Sequence, residues 1–419
     1  MQTDILAIDF GTSNSAAAIA TERGVRRISV EQAGETLPTA VFFPADEGPM
    51  QIGARASEAL IAGEEGRYMR ALKSVLGLPL MQEKRLICGR RRTLSDIITA
   101  FLSELRQRAE AQTGRRFRGA LSGRPVHFHT NDLALDAQAE ADLRACYLAA
   151  GFDEVRFLAE PEAAAIASHG MGRTDEIGLV VDIGGGTSDF SVFRSTNTGP
   201  EILASHGIRL GGTDFDHAVS MAHAMPQLGL GGQLRRQMGQ GLLPVPRAPY
   251  VDLATWAKIP FLYTGETRRA VADMVRLAVE PARIGRFATV LEMELGHELA
   301  FAVERGKIAA NSETGTGQIE MEFIELGLTA TLTRDALNTV LAENRALLRQ
   351  AMSETMNRAS LGPDQIGRVI FVGGSSLMRF VADEIAALCP AAEQLYSDAF
   401  TAVVDGLALA AYQDGAPFP

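Results

Sequence analysis

Two short segments far apart in the chain repeat one pattern. Near the start stands Ile5-Leu6-Ala7-Ile8-Asp9-Phe10-Gly11-Thr12-Ser13-Asn14-Ser15, and in the middle Leu179-Val180-Val181-Asp182-Ile183-Gly184-Gly185-Gly186-Thr187-Ser188-Asp189. Each is an apolar run, an aspartate, a glycine turn carrying hydroxyl side chains and a second β-prone run, which predicts a strand, a tight turn and a returning strand. Either turn alone reads equally well as an ordinary glycine hairpin. The pair points to two similar lobes, each offering one turn to the same polyphosphate. Glycine lets backbone N–H groups approach an anion with no Cβ in the way. Successive N–H groups form a concave anion site, and Ser or Thr hydroxyls add donors. Gly11, Thr12, Ser13 and Asn14 make the first turn; Gly184, Gly185, Gly186 and Thr187 make the second. Carboxylates repel phosphate, so Asp9, Asp182 and Asp189 make sense where a divalent cation stands between. Mg²⁺ keeps most of its waters, and these side chains could reach it through water.

At 419 residues the chain is too long for one ordinary core, so two or more domains are expected. A formal charge of −11 disfavours nonspecific binding to nucleic acid or anionic membranes. No apolar run is long enough to span a bilayer, and the start does not read as a secretory signal. Cys88, Cys146 and Cys389 lie far apart without metal-ligand spacing and fit reduced thiols in a cytoplasmic protein. His127 and His129 alternate as on one strand face, a spacing read as packing or surface because no third ligand is near in sequence.

The expected elements alternate. Hairpins over 4–20 and 177–194 head the two halves, and strands are expected at 41–44, 120–128, 155–158, 201–206, 317–333 and 368–372. Helices are expected over 55–77, ending near Gly77, and over 94–113, where Leu94, Ile97, Ile98, Phe101, Leu102 and Leu105 form one stripe. Further helices are expected over 136–150, 161–169, most of 250–312, 334–359, 377–388 and 400–412, while 229–249 reads as a loop or mobile insertion. The order is α/β with strands grouped at the head of each half, which suggests a duplication.

A third glycine turn, Val369-Ile370-Phe371-Val372-Gly373-Gly374-Ser375-Ser376, closes an apolar strand, and its glycine pair would let a flat ring or ribose lie on the backbone. At this point the chain resembles the actin-like ATPase superfamily, a ribonuclease H-like α/β fold of two duplicated lobes around a nucleotide cleft. Within it the likeness is to the nucleotide-binding domain of the DnaK (seventy-kilodalton heat-shock) chaperones. Asp9–Ser15 resembles the first phosphate motif, Asp182–Asp189 the second, Leu210–Asp216 the segment after it and Val372–Ser376 the adenosine motif. Ala159–Ala167 resembles the interlobe segment, and Leu72–Gly77 the segment with the catalytic lysine. The details look most like the short YegD-type relatives.

The resemblance implies Mg²⁺-dependent ATP binding and slow ATP hydrolysis, with ATP or ADP held between lobes that open and close. It implies Lys73, Glu160, Asp182 and Thr187 as catalytic residues, with Gly211, Gly212, Glu304, Lys307, Gly373, Gly374 and Ser375 joining the two turns around the nucleotide. Lobe I would span 1–176, with a subdomain at about 39–119. Lobe II would span 177–394, with a subdomain at about 214–325, and a helix in 395–419 would return to lobe I. Ile308 and Leu377 stand where the family places arginines against adenine, Asn14 replaces an aromatic and Thr213 an acid. The expected chain stops at Asp414–Pro419 without a peptide-binding domain, so its output would go to an unknown protein partner or co-chaperone. Competing expectations are a small-molecule kinase of the same fold, an actin-like filament protein and a nonhydrolysing nucleotide sensor.

Overall fold

The computed structural model describes residues 4–31, 34–46, 48–168, 173–396 and 401–413. The expected helix end at His169, the start of the last helix at Phe400 and the run Asp414–Pro419 lie outside the described residues. The chain divides into two compact units, one of Met1–Gly212 with Ala346–Pro419 and the other of Thr213–Arg345.

The first unit holds two sheets with the same strand order. In one, Gly24–Ile28, Asn14–Thr21, Ile5–Phe10, Gly119–Arg124 and Glu154–Ala159 lie side by side, with Thr36–Pro38 also pairing with Asn14–Thr21. In the other, Pro200–Ile208, Ser188–Ser195, Ile177–Ile183, Arg368–Val372 and Glu393–Tyr396 follow in that order. Each begins with an antiparallel meander and ends with parallel strands reached through crossovers. The duplication expected from the two aspartate turns is therefore present in the topology. The central strands Ile5–Phe10 and Ile177–Ile183 are almost wholly buried and apolar apart from Asp9 and Asp182, as strands covered on both faces require.

Helices form where caps and stripes expect them. Leu94–Thr113 opens on a capping box between Thr93 and Asp96 and closes at Gly114 in the left-handed region. Leu133–Ala149 starts three residues before the expected Asp136, because the Asp132 side chain accepts from the Ala134 and Leu135 N–H groups. Glu160–Ala167 packs against Ala402–Gln413 through small residues, with Ala163, Ala164 and Ala165 fully buried. The core around them takes Ala7, Ala16 and Leu121 from the first sheet and Val180, Phe193 and Ile370 from the second. Arg27 ties Ala402–Gln413 to the first sheet by donating to both Asp405 oxygens, at 2.9 and 2.7 Å.

The stretch 55–77 is not the single helix its pattern predicts. It gives the helix Ala54–Ile61, the strand Gly66–Arg70 and the 3₁₀ turn Leu72–Val75. Gly63 takes a positive φ, and Tyr68 and Met69 are buried in a strand pairing with Ala40–Pro44, so tertiary pairing overrides local propensity. The strand expected over 120–128 ends at Arg124, which places His127 and His129 in the following loop.

The second unit is mainly helical over Ala248–Leu253, Gly265–Leu277, Pro281–Glu292 and Gly296–Asn311. The helical stretch expected over most of 250–312 breaks at Glu294, whose φ is 56°. Thr316–Glu320 pairs with Thr329–Thr333. Within 229–249, expected to be loop, Gln233–Arg235 and Leu242–Pro244 form a short hairpin. Among the described residues no helix is long and apolar enough to cross a membrane.

Candidate functional site

The site is built by four turns of the first unit. Asp9 lies one residue before the end of Ile5–Phe10, and Asp182 one residue before the end of Ile177–Ile183. Past each, the chain turns back. The Gly184 N–H donates to the Thr187 carbonyl at 3.0 Å, which closes the second turn. The two turns meet. A Cβ built on Gly185 would overlap Ser13 Oγ and stand 3.2 Å from Thr12 Cβ, and one on Gly186 would lie 2.9 Å from Thr12 Oγ1. The third turn joins them, since a Cβ on Gly211 would lie 2.6 Å from both Gly185 C and Gly186 N, and the Gly212 N–H donates to Gly184 O at 3.0 Å. The fourth follows Arg368–Val372. Gly373 has φ 79°, and a Cβ there would overlap Ile183 O and lie 2.7 Å from Asp182 Oδ1. A Cβ on Gly212 would overlap Ser375 Oγ. At Gly211 and Gly373 backbone abuts backbone, so glycine is required there, whereas Gly185, Gly186 and Gly212 face hydroxyl side chains.

Beside the turns stands a charged cluster. Lys73, on the 3₁₀ turn Leu72–Val75, puts Nζ 2.5 Å from Glu160 Oε1, and both residues are buried. Ala71 enters that turn in the left-handed region, at φ 60°. Glu160 is the first residue of its helix, where the helix dipole favours a carboxylate. Burial raises the pKa of Asp9 to about 7, with the Glu160 charge adding to the rise and Lys73 opposing it. Burial and the Glu160 charge raise Asp189 to about 8, against the Val126 N–H that donates to its Oδ1 at 2.6 Å. Asp182 is also pushed up, first by burial and then by Glu160, Asp189 and Asp9. Burial alone would lower Lys73, but the surrounding Glu160, Asp9 and Asp189 hold its pKa above the ordinary value. Several carboxylates thus crowd around one ammonium, an arrangement suited to receiving further positive charge.

The expected residues separate into two groups. Asp9, Gly11, Thr12, Ser13, Lys73, Glu160, Asp182, Gly184, Gly185, Gly186, Thr187, Asp189, Gly211, Gly212, Gly373, Gly374 and Ser375 all belong to the first unit. Asn14 is there too, and begins the returning strand by pairing with Pro38. Glu304 and Lys307 lie on Gly296–Asn311 in the second unit, where Lys307 Nζ stands 2.6 Å from Asp216 Oδ1 and both are buried. Ile308 and Leu377, the two departures from the arginine positions, are 58% and 46% exposed.

One contact, between Arg209 and His129, escaped the sequence reading. His129, read as packing or surface, is buried packing, but its bonds to Arg209 and the Leu76 carbonyl were not foreseen. A single sequence carries no signal for this, because the contacts join three distant segments. The two side chains also line a cavity of about 670 Å³ with Thr130, His206, Gln350 and Arg358.

No set of three or more His, Cys, Asp or Glu side chains among the described residues is placed to hold a metal directly. The donor chemistry at the turns fits a cation reached through water and phosphate oxygens. The crowded, burial-raised carboxylates Asp9, Asp182 and Asp189 would be relieved by it.

Two sheets of identical order, joined at paired aspartate–glycine turns, define a chain of the actin-like ATPase fold. A family model described as "Hsp70 protein" matches residues 81–229. A chaperone protein HscA homolog from Pseudomonas paraeruginosa is 34% identical over 289 residues, covering 64% of this chain and 45% of that protein. An HscA homolog from Pseudoalteromonas atlantica is 27% identical over 90% of this chain and 53% of its own length. The chaperone protein DnaK from Thermosipho melanesiensis is 27% identical over 91% of this chain and 54% of its own length. The chain thus matches the Hsp70 family over residues 81–229 and is similar to HscA and DnaK chaperone proteins over 64–91% of its own length. It spans about half the length of the curated relatives it matches.

Proposed function

We propose that this chain binds Mg-ATP at the four-turn cradle and hydrolyses it slowly, as a nucleotide-driven switch. The observation that carries the reading is the buried Lys73–Glu160 pair, set among Asp9, Asp182 and Asp189 beside turns that touch. In phosphoryl transfer to water the protein does little covalent work, and positioning with charge neutralisation does most of it. Thr12, Ser13 and Thr187 would donate hydrogen bonds to phosphate oxygens. Lys73 would stabilise charge on the γ-phosphate. Glu160 and Asp182 would accept hydrogen bonds from the attacking water and orient it. A bound Mg²⁺, held through water by Asp9, Asp182 and Asp189, would neutralise charge on the phosphates.

The division into lobes at 1–176 and 177–394 belongs to the same proposal, since it gives each lobe one acidic hairpin, with their smaller subdomains at about 39–119 and 214–325. Glu304 and Lys307 are proposed for the ribose and base, and Gly373, Gly374 and Ser375 for the adenosine. Closure of lobes on γ-phosphate contacts is the kind of hinge motion such sites drive. A protein partner in the cytoplasm would receive that motion. The test is phosphate release by the purified protein. The reading expects slow release that needs Mg²⁺ and is lost in Lys73→Ala; release unaffected by a chelator or by Lys73→Ala would refute it.

A further inference from the structure

The turn that carries Lys73 is held from outside by a clamp that none of the phosphate motifs contains. Arg209 follows the strand Pro200–Ile208 of the second sheet, yet its side chain reaches the Lys73 turn. Its Nη2 donates to the Ser74 carbonyl at 2.8 Å. Its Nη1 lies 3.1 Å from His129 Nδ1, and its backbone N–H donates to Thr130 Oγ1 at 2.9 Å. His129 Nε2 in turn lies 2.8 Å from the Leu76 carbonyl. A guanidinium only donates and a carbonyl only accepts, so the His129 ring must accept at Nδ1 and donate from Nε2. One residue on, the Gly77 N–H donates to the buried Asp142 at 3.0 Å. Ser74, Leu76 and Gly77 are thereby fixed within four residues of Lys73. Ala71, two residues before Lys73, holds a positive φ that costs a non-glycine residue energy unless its surroundings impose it.

We propose that Arg209 and His129 are positioning residues. They hold the 3₁₀ turn so that Lys73 Nζ stays on Glu160, and they make its placement depend on the register between the two sheets. This rests on the ATPase reading above and assigns that site a support outside it. A guanidinium from the second sheet and an imidazole from the loop of the first meet on one carbonyl-rich turn. A displacement of either segment would therefore move the lysine. Misplacing a catalytic group by about 1 Å can cost on the order of 10²-fold in rate.

Two measurements on the full chain decide it. Hydrogen exchange followed by mass spectrometry is expected to show faster exchange across 72–78 in Arg209→Ala and His129→Ala, with distant helices unchanged. Steady-state kinetics are expected to show a fall in kcat of about 10-fold with the KM for ATP held within about two-fold, the signature of lost transition-state positioning. His129→Gln keeps one acceptor and one donor and is expected to recover most of kcat. The double variant is expected to lose little more than either single one, because the two side chains act as a unit. Wild-type exchange across 72–78 in both single variants would overturn the clamp. Faster exchange with unchanged kcat would overturn its positioning role. If the wild-type chain shows no ATP turnover, the ATPase reading fails, and the exchange arm still decides whether the clamp holds the turn.

Discussion

Asp182 stands directly across from Asp189 in the antiparallel ladder between Ile177–Ile183 and Ser188–Ser195. Facing residues in such a ladder project to the same side of the sheet, and like charges placed there destabilise it. Both are buried, and the charge on Asp189 helps to raise the pKa of Asp182. A fold that keeps this pair, with Asp9 and Glu160 beside it, carries a cost in the absence of a cation.

That cost gives a pH dependence. In the chain freed of metal and nucleotide, Asp9 and Asp189 hold protons up to about pH 7 and 8, whereas the unfolded chain releases them near the ordinary value of 3.8. Between those limits the unfolded state binds fewer protons than the folded one, so stability falls as pH rises. The urea midpoint measured in chelator is expected to drop from pH 5 to pH 8. Asp182→Asn removes one of the repelling charges and is expected to flatten that slope. A midpoint that rises over the same interval would contradict the clustered burial of these groups.

The Lys73–Glu160 pair should be asymmetric to mutation. Removing the lysine leaves Glu160 buried beside Asp9 and Asp182 without its cation. Removing the glutamate charge leaves Lys73 with Asp9 and Asp189 still near. Breaking a buried pair costs about 3–5 kcal/mol when the remaining charge is uncompensated. Lys73→Met is therefore expected to destabilise by that amount, and Glu160→Gln by clearly less. For turnover, loss of a preorganised charge partner is worth roughly 10²–10³-fold in kcat, and Lys73→Ala is expected to fall in that range. Equal midpoints for the two variants in denaturant would show that the other carboxylates do not reach the lysine.

The cradle can be closed without touching any charge. Gly373→Ala would place a methyl group against Ile183 O and 2.7 Å from Asp182 Oδ1, on a backbone at φ 79°. Left-handed conformation costs a residue with a Cβ about 1–2 kcal/mol, and the overlap with backbone adds to it. Nucleotide affinity is expected to fall by about tenfold or more, one step of 1.4 kcal/mol. Ser13→Ala is expected to leave affinity nearly unchanged by comparison, since it removes one hydroxyl from several donors. Calorimetric titration of both variants would expose the opposite order if the turns do not meet the ligand.

A stability prediction lies away from the site. Gly406 on Ala402–Gln413 abuts the Ala163 carbonyl of Glu160–Ala167, and any Cβ there overlaps backbone. Overpacking of a tight core costs about 1–3 kcal/mol. Gly406→Ala is expected to lower the melting temperature and to shift the helix that begins at Glu160. An unchanged melting temperature would mean the two helices sit farther apart.

The legible part of this chain was the part written in local code. The repeated apolar–aspartate–glycine runs announce both hairpins, and the helix expected over 94–113 forms as Leu94–Thr113. The helix expected over 55–77 is broken because Tyr68 and Met69 are claimed by pairing with Ala40–Pro44. At the site, the glycines and aspartates announce themselves by type and spacing. Lys73 and Glu160 were placed by family resemblance, and their 2.5 Å contact lies 87 residues apart in sequence. The pairing of Arg209 with His129 carries no sequence signal, because it comes only from the segments that fold beside them.

The central claim is that two acidic hairpins, one from each sheet, share one metal-bridged polyphosphate. The most direct measurement is isothermal titration of the purified chain with ATP and with AMP, each in Mg²⁺ and in chelator. The account predicts one saturable site for ATP in Mg²⁺, weakened by chelator and by Asp182→Asn, with AMP bound far more weakly. Equal affinity for ATP and AMP, or ATP binding indifferent to Mg²⁺ and to Asp182→Asn, would contradict it.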